Sequence, residues 1–103
     1  MQRVAVFFKL KPNQKEAYKK RHDEVWPSIS ALLTEAGIRN YTIWNHEDML
    51  FGYYETDDPK KTYETLFSNS DFLRWRDDME EYVYKEPQTG QKEWDMNLFF
   101  LHE

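Results

Sequence analysis

The chain has 103 residues, a net charge of −5 and no cysteine. That length predicts one domain over residues 1–103. The acidic balance argues against a nucleic-acid partner, which needs a basic face, and the missing thiols exclude a disulfide frame and thiolate chemistry. Hydrophobic residues at 40% and charged residues at 32% match a globular chain. The 17% of aromatic residues is more than a small core can hide, so some rings must line a pocket, sit between subunits or stay open.

Residues 3–10, RVAVFFKL, are β-branched and aromatic and predict a strand. The apolar run here is too short for a signal peptide, and no stretch nears the ~20 apolar residues of a membrane span, so a cytoplasmic chain without a membrane partner is expected. Pro12 and Asn13 end the strand, with Asn13 as an expected N-cap. Over residues 14–36, Tyr18, His22, Val25, Ile29, Leu32, Leu33 and Ala36 recur at steps of three or four, one stripe of a helix. Pro27 removes a backbone donor inside this stripe and predicts a kink or a division near Trp26. Gly37 suits the residue after the helix end.

Residues 39–45 and 49–56 read as two strands joined by a turn at His46-Glu47-Asp48. Asp57-Asp58-Pro59 predicts a helix start with Pro59 in the first position, and a short helix over 60–67 follows. Ser68-Asn69-Ser70 breaks it. Ser70 is the expected cap of a helix over 71–84, whose apolar stripe is Phe72, Trp75, Met79, Tyr82 and Val83. After a loop at 86–90, residues 93–101 predict a last strand. The order β-α-β-β-α-β predicts an α+β, ferredoxin-like domain. Its strands are apolar on both faces: Val4, Val6 and Phe8 alternate with Ala5 and Phe7. Helices cover only one face, so a second copy covering the other is expected, giving a homodimer with a barrel-like core.

Among candidate functional side chains, His22 sits on the inward stripe one turn after Tyr18. With an ordinary pKa near 6.5 it suits proton transfer at neutral pH; from position alone it reads more readily as a core histidine tied to one partner. Tyr18 and Tyr41 each read as packing or as hydroxyls for a ligand. Trp26, Trp44, Trp75 and Trp94 read as core or as platforms for the C–H face of a sugar. Asp77, Asp78, Glu80 and Glu81 read as solvated charges. His22, His46 and His102 are too far apart in sequence to form a zinc-ligand pair, and no phosphate loop or nucleophile elbow is present, so no metal or cofactor is expected.

The segment Tyr18-Lys-Lys-Arg21-His22-Asp-Glu-Val-Trp26-Pro27 resembles the YxxRHxxxWP signature of the L-rhamnose mutarotase family. Gly37-Ile-Arg-Asn40-Tyr41-Thr-Ile43 is similar to its GxxNYxI stretch, and Arg74-Trp75 followed by Met79 to its RWWxxM. The resemblance covers nearly the whole chain. It implies a cofactor-free isomerase that interconverts the α and β anomers of L-rhamnose or a related monosaccharide, on a dimeric α+β barrel. It implies His22 as catalytic proton donor, Tyr18 and Tyr41 as sugar contacts, and Trp75 with position 76 as the family's paired tryptophans. Position 76 here is Arg76, which replaces a flat apolar wall with a cation carrying five donors. The same type of barrel also supports haem-handling monooxygenases and non-catalytic dimerisation modules, and these are the alternative readings.

Overall fold

A computed structural model describes all 103 residues. The elements run β1 (Gln2–Lys9), α1 (Lys15–Asp23), α2 (Pro27–Glu35), β2 (Arg39–His46), β3 (Met49–Thr56), α3 (Pro59–Phe67), α4 (Ser70–Met79) and β4 (Trp94–Met96), with one 3₁₀ turn at Glu80–Tyr82. The strands form one antiparallel sheet in the order β2-β3-β1-β4. The helices cover one face, and this is the ferredoxin-like arrangement expected from the element order.

Strand alternation decides which side chains meet the helices. Phe8 and Leu50 pair across β1 and β3 and are buried beneath Tyr18, Ile29, Leu32, Phe72, Trp75 and Met79. On the opposite face Phe7 lies 5.4 Å from Phe51 and 6.0 Å from Trp94, ring centre to ring centre. No element covers that face: Trp44 is 67% exposed and Met96 43%.

The stripe over residues 14–36 is divided where Pro27 requires it. Trp26 takes an extended conformation and Pro27 opens α2. Gly37, at φ +83°, ends α2. Its N–H donates to the Thr34 carbonyl, and the Ile38 N–H donates to Leu33, the paired bonds of a Schellman motif.

A buried hydroxyl chain ties α2, β3 and α3 together. Thr62 Oγ1 donates to the Ala36 carbonyl at 2.7 Å and lies 2.7 Å from Thr56 Oγ1. Because the Thr62 proton is spent on Ala36, Thr56 must donate to Thr62. Thr56 in turn accepts from the Asp58 N–H.

Four sequence expectations are corrected. Asn13 adopts φ +63° and turns the chain; Gln14 holds the N-cap position of α1 without a side-chain cap bond. Asn rather than Ser caps α4: Asn69 Oδ1 accepts from the N–H groups of both Asp71 and Phe72, while Ser70 is the first helical residue. That helix stops at Met79 rather than residue 84, because Val83 bridges Leu10 and the backbone of 82–84 bonds to Lys9 and Lys11, lengthening the sheet edge. The last strand is three residues long, not nine. In its register with β1, Trp94 opposes Phe7 and Met96 opposes Ala5; the pairing ends there, although β1 continues back to Gln2. Beyond it Leu98, Phe99 and Phe100 are open, at 65%, 101% and 78% exposure.

Candidate active site

A cavity of about 440 Å³ lies between the helix-facing side of the sheet and α1, α3 and α4. That is within the range of small-ligand sites. Tyr18 and His22 come to it from α1, Tyr41 from β2, Tyr54 from β3, and Trp75 and Arg76 from α4. All five residues singled out in the sequence, His22, Tyr18, Tyr41, Trp75 and Arg76, thus meet at one cavity. A second hollow, of about 520 Å³, opens on the other side of Tyr18 and His22. Its rim is mainly the charged side chains of α1, and it lacks Tyr41, Trp75 and Arg76.

His22 is held edge-on between two rings. Its ring centre lies 4.4 Å from Tyr18 and 5.8 Å from Trp75, both perpendicular. Its Nδ1 is 3.4 Å from the carbonyl oxygen of Tyr18, one turn back. A carbonyl only accepts, so this contact selects the tautomer with the proton on Nδ1 and leaves the Nε2 lone pair free. Burial lowers the pKa of the imidazole, with Arg21 and Lys19 adding to the effect; the carbonyl contact and Asp23 oppose it. The ring is therefore neutral at pH 7.

Tyr41 reaches the cavity through a backbone irregularity. Arg39 pairs with Glu55 and Thr42 with Tyr53, so residues 40 and 41 together oppose Tyr54 alone. Asn40 takes φ +53°, a conformation asparagine tolerates, and its amide donates to Glu55 Oε1 at 2.6 Å. This bulge sets the Tyr41 ring 5.8 Å from Tyr54. Gly52 leaves the room: a Cβ there would stand 3.2 Å from Val6 and 4.0 Å from the Tyr41 ring.

Both hydroxyls hold their protons tightly. Burial pushes the Tyr18 phenol well above its usual value, helped by Tyr41 and Glu93. The Tyr41 phenol is pushed up to about 12 by burial, Glu93 and Tyr54. The Tyr41 residue is 44% exposed, and its phenol lies within the electrostatic reach of Glu93 and Arg76. At neutral pH the two tyrosines are hydrogen-bond donors, not anions.

Of the four tryptophans, only Trp75 lines this cavity. It is buried, stacked edgewise on Trp26 at 5.4 Å and capped by the Arg21 guanidinium at 5.5 Å. Trp26 buttresses it, while Trp44 and Trp94 lie on the opposite face of the sheet. Arg76 lies over the Phe67 ring at 4.9 Å and pairs with Glu93 at 3.3 Å. It makes no ion pair with Glu80, which lines the cavity with Lys92 and pairs with both Lys85 and Lys92. Glu80 is thus more than a solvated charge. Tyr54, Glu93 and Asp95 also line the cavity and are absent from the sequence-based set. The alternation Glu93-Trp94-Asp95 puts both carboxylates on one face, but only the pairing of β4 with β1 shows that it is the helix-facing one.

The family model for L-rhamnose mutarotase matches residues 3–101. An L-rhamnose mutarotase from Listeria monocytogenes serovar 1/2a is 42% identical over 77 residues, which is 73% of each chain. The crystal structure of an L-rhamnose mutarotase from Formosa agariphila superposes with a TM-score of 0.83 at 28% identity, covering 100% of both chains. An antibiotic biosynthesis monooxygenase aligns with a TM-score of 0.64 at 14% identity over 96% of this chain and 99% of its own, a likeness of fold alone.

Proposed function

Because the chain belongs to the L-rhamnose mutarotase family, we propose that its cavity between sheet and helices opens and recloses the ring of L-rhamnose, with His22 as the proton carrier. The observation that carries this is the neutral imidazole of His22, walled by Trp75 and held with Nε2 free. Family membership favours this isomerase over the monooxygenase reading, to which only the fold is common.

Mutarotation moves one proton between two oxygens on the same carbon. The anomeric hydroxyl loses it, the bond from the anomeric carbon to the ring oxygen breaks, and the ring oxygen gains it. The open-chain aldehyde then rotates and closes on its other face by the reverse transfers. A neutral imidazole takes the proton from the anomeric oxygen at Nε2 and hands it to the ring oxygen. His22 is therefore a base in the first half of each step and the donor in the second. No proton is consumed, and no redox or phosphate chemistry is needed. A general acid–base group of this kind contributes ~10²–10⁴-fold.

The other side chains hold the sugar. The neutral phenols of Tyr18 and Tyr41 donate to its oxygens. Trp75 offers an apolar wall, and Arg76 supplies donors at the end next to Phe67.

The reading includes a homodimer and a cytoplasmic location. The uncovered aromatic face of the sheet and the open tail Leu98–Leu101 support the dimer. A cysteine-free chain draws nothing from an oxidising compartment, and no helix is long and apolar enough to cross a membrane; cell fractionation tests the location.

The activity is tested by polarimetry of freshly dissolved crystalline L-rhamnose. Approach to the equilibrium rotation should be faster than in buffer, in proportion to protein added. A rate equal to buffer at every protein concentration would overturn the assignment.

A further inference from the structure

The pairing of β4 with β1 runs Trp94 to Phe7 and Asp95 to Val6, which brings Glu93 level with Phe8 on the helix-facing side. Phe8 is 6.0 Å from the Tyr18 ring, so the Glu93 backbone lies beside the residues that frame the cavity. Its carboxylate turns into that cavity and meets Arg76, which arrives from α4, 17 residues earlier. The pair is only partly shielded: the Arg76 side chain is 28% exposed and that of Glu93 47%. Such an exposed pair adds little to stability. Glu80, the other carboxylate engaged at the rim, is already occupied by two lysines. Glu93 has one partner at the long end of hydrogen-bond range, so its carboxylate keeps acceptor capacity facing the cavity.

We propose that Glu93 is a sugar-binding residue: its carboxylate, steadied by Arg76, accepts from one hydroxyl of the pyranose while the guanidinium donates to the neighbouring one. This rests on reading the cavity as the sugar site. A vicinal diol suits such a pair, because each hydroxyl both donates and accepts. The influence of Glu93 on the phenols of Tyr18 and Tyr41 agrees with this placement. The pair also explains how a cation is accommodated where the resembling family signature carries a second tryptophan: Phe67 supports its flat face and Glu93 balances its charge.

The test is steady-state anomer exchange at varied L-rhamnose for wild type, Glu93→Gln, Arg76→Gln, the double variant, and Glu35→Gln as an exposed control of equal charge change. Glu93→Gln should raise KM about 10-fold or more with kcat kept within about threefold, the mark of lost uniform binding. The double variant should be no worse than the weaker single, because the two side chains act as a unit. Glu35→Gln should match wild type. A merely structural ion pair would leave KM alone in every variant. An unchanged KM in Glu93→Gln, or multiplying effects in the double variant, would overturn the proposal while wild-type exchange still stands. Absence of exchange in wild type would remove the functional reading, and this inference with it.

Discussion

The Nδ1 atom of His22 faces the carbonyl oxygen of Tyr18 at 3.4 Å, one helical turn apart. The contact assigns the ring proton to Nδ1 and makes Nε2 the working nitrogen. Burial then lowers the pKa, so the neutral form required at Nε2 persists below the ordinary histidine range. The acid limb of kcat/KM against pH should therefore fall with an apparent pKa below about 6.5. A limb centred above that value would mean another group controls the rate.

The same shift gives a stability prediction. The folded state binds the His22 proton less readily than the unfolded state. Between the folded and unfolded pKa values the unfolded chain holds more protons, so stability falls as pH drops from about 6.5 toward the lower folded value. Above about 6.5 the contribution is flat. His22→Gln should lose less stability than wild type over that acid window. Denaturant midpoints at pH 7.5, 6 and 5 measure this, and parallel curves for the two proteins would refute it.

Thr62→Val should destabilise the fold by about 1–3 kcal/mol, the cost of an orphaned buried hydroxyl. The substitution keeps shape but strands Thr56 and leaves the Ala36 carbonyl without its donor; Thr56 and Thr62 are 2% and 1% exposed. Urea denaturation reads the change. A midpoint equal to wild type would show that water satisfies these groups.

The uncovered face predicts assembly. A dimer built on Phe7, Phe51, Trp44 and Trp94 should bury roughly 2,000 Å² or more in total, as obligate interfaces do. Sedimentation velocity at micromolar concentration should show two chains per particle. Trp44→Asp, or truncation after Asn97, should shift it toward one. A wild-type monomer would contradict the prediction.

Arg76→Trp should raise exchange on L-rhamnose relative to non-deoxy hexoses, since it trades the cation beside Glu93 for an apolar wall. Saturation transfer between anomers on both sugar classes gives the ratio. An unchanged ratio would leave Arg76 without a role in specificity.

Much of the fold is legible in the sequence, and the exceptions are set by competition between neighbours and by long-range pairing. The β1, β2 and β3 segments show in their apolar and aromatic content, and Pro27 divides α1 from α2 by its own covalent structure. Asn13 and Ser70 were misread because adjacent residues compete for a cap: Asn13 went into a turn, and Asn69 reached two N–H groups where Ser70 was expected. The apolar tail reads as strand, yet its pairing with β1 stops at Met96, and nothing in the apolar content of the tail marks that stop. Tyr18 and His22 are visible on the helical stripe. Tyr41 was reached through resemblance, while the bulge that aims it is a long-range fact. Glu93 had no local signal at all, because its place in the cavity depends on which edge β4 joins.

Saturation transfer between the anomeric protons of L-rhamnose, comparing wild type with His22→Ala, tests the central claim most directly. Wild type should exchange the anomers well above the buffer rate. The variant, with wild-type circular dichroism and unchanged oligomeric state, should lose on the order of 10²-fold or more. A folded His22→Ala protein that keeps nearly the full rate would contradict the account.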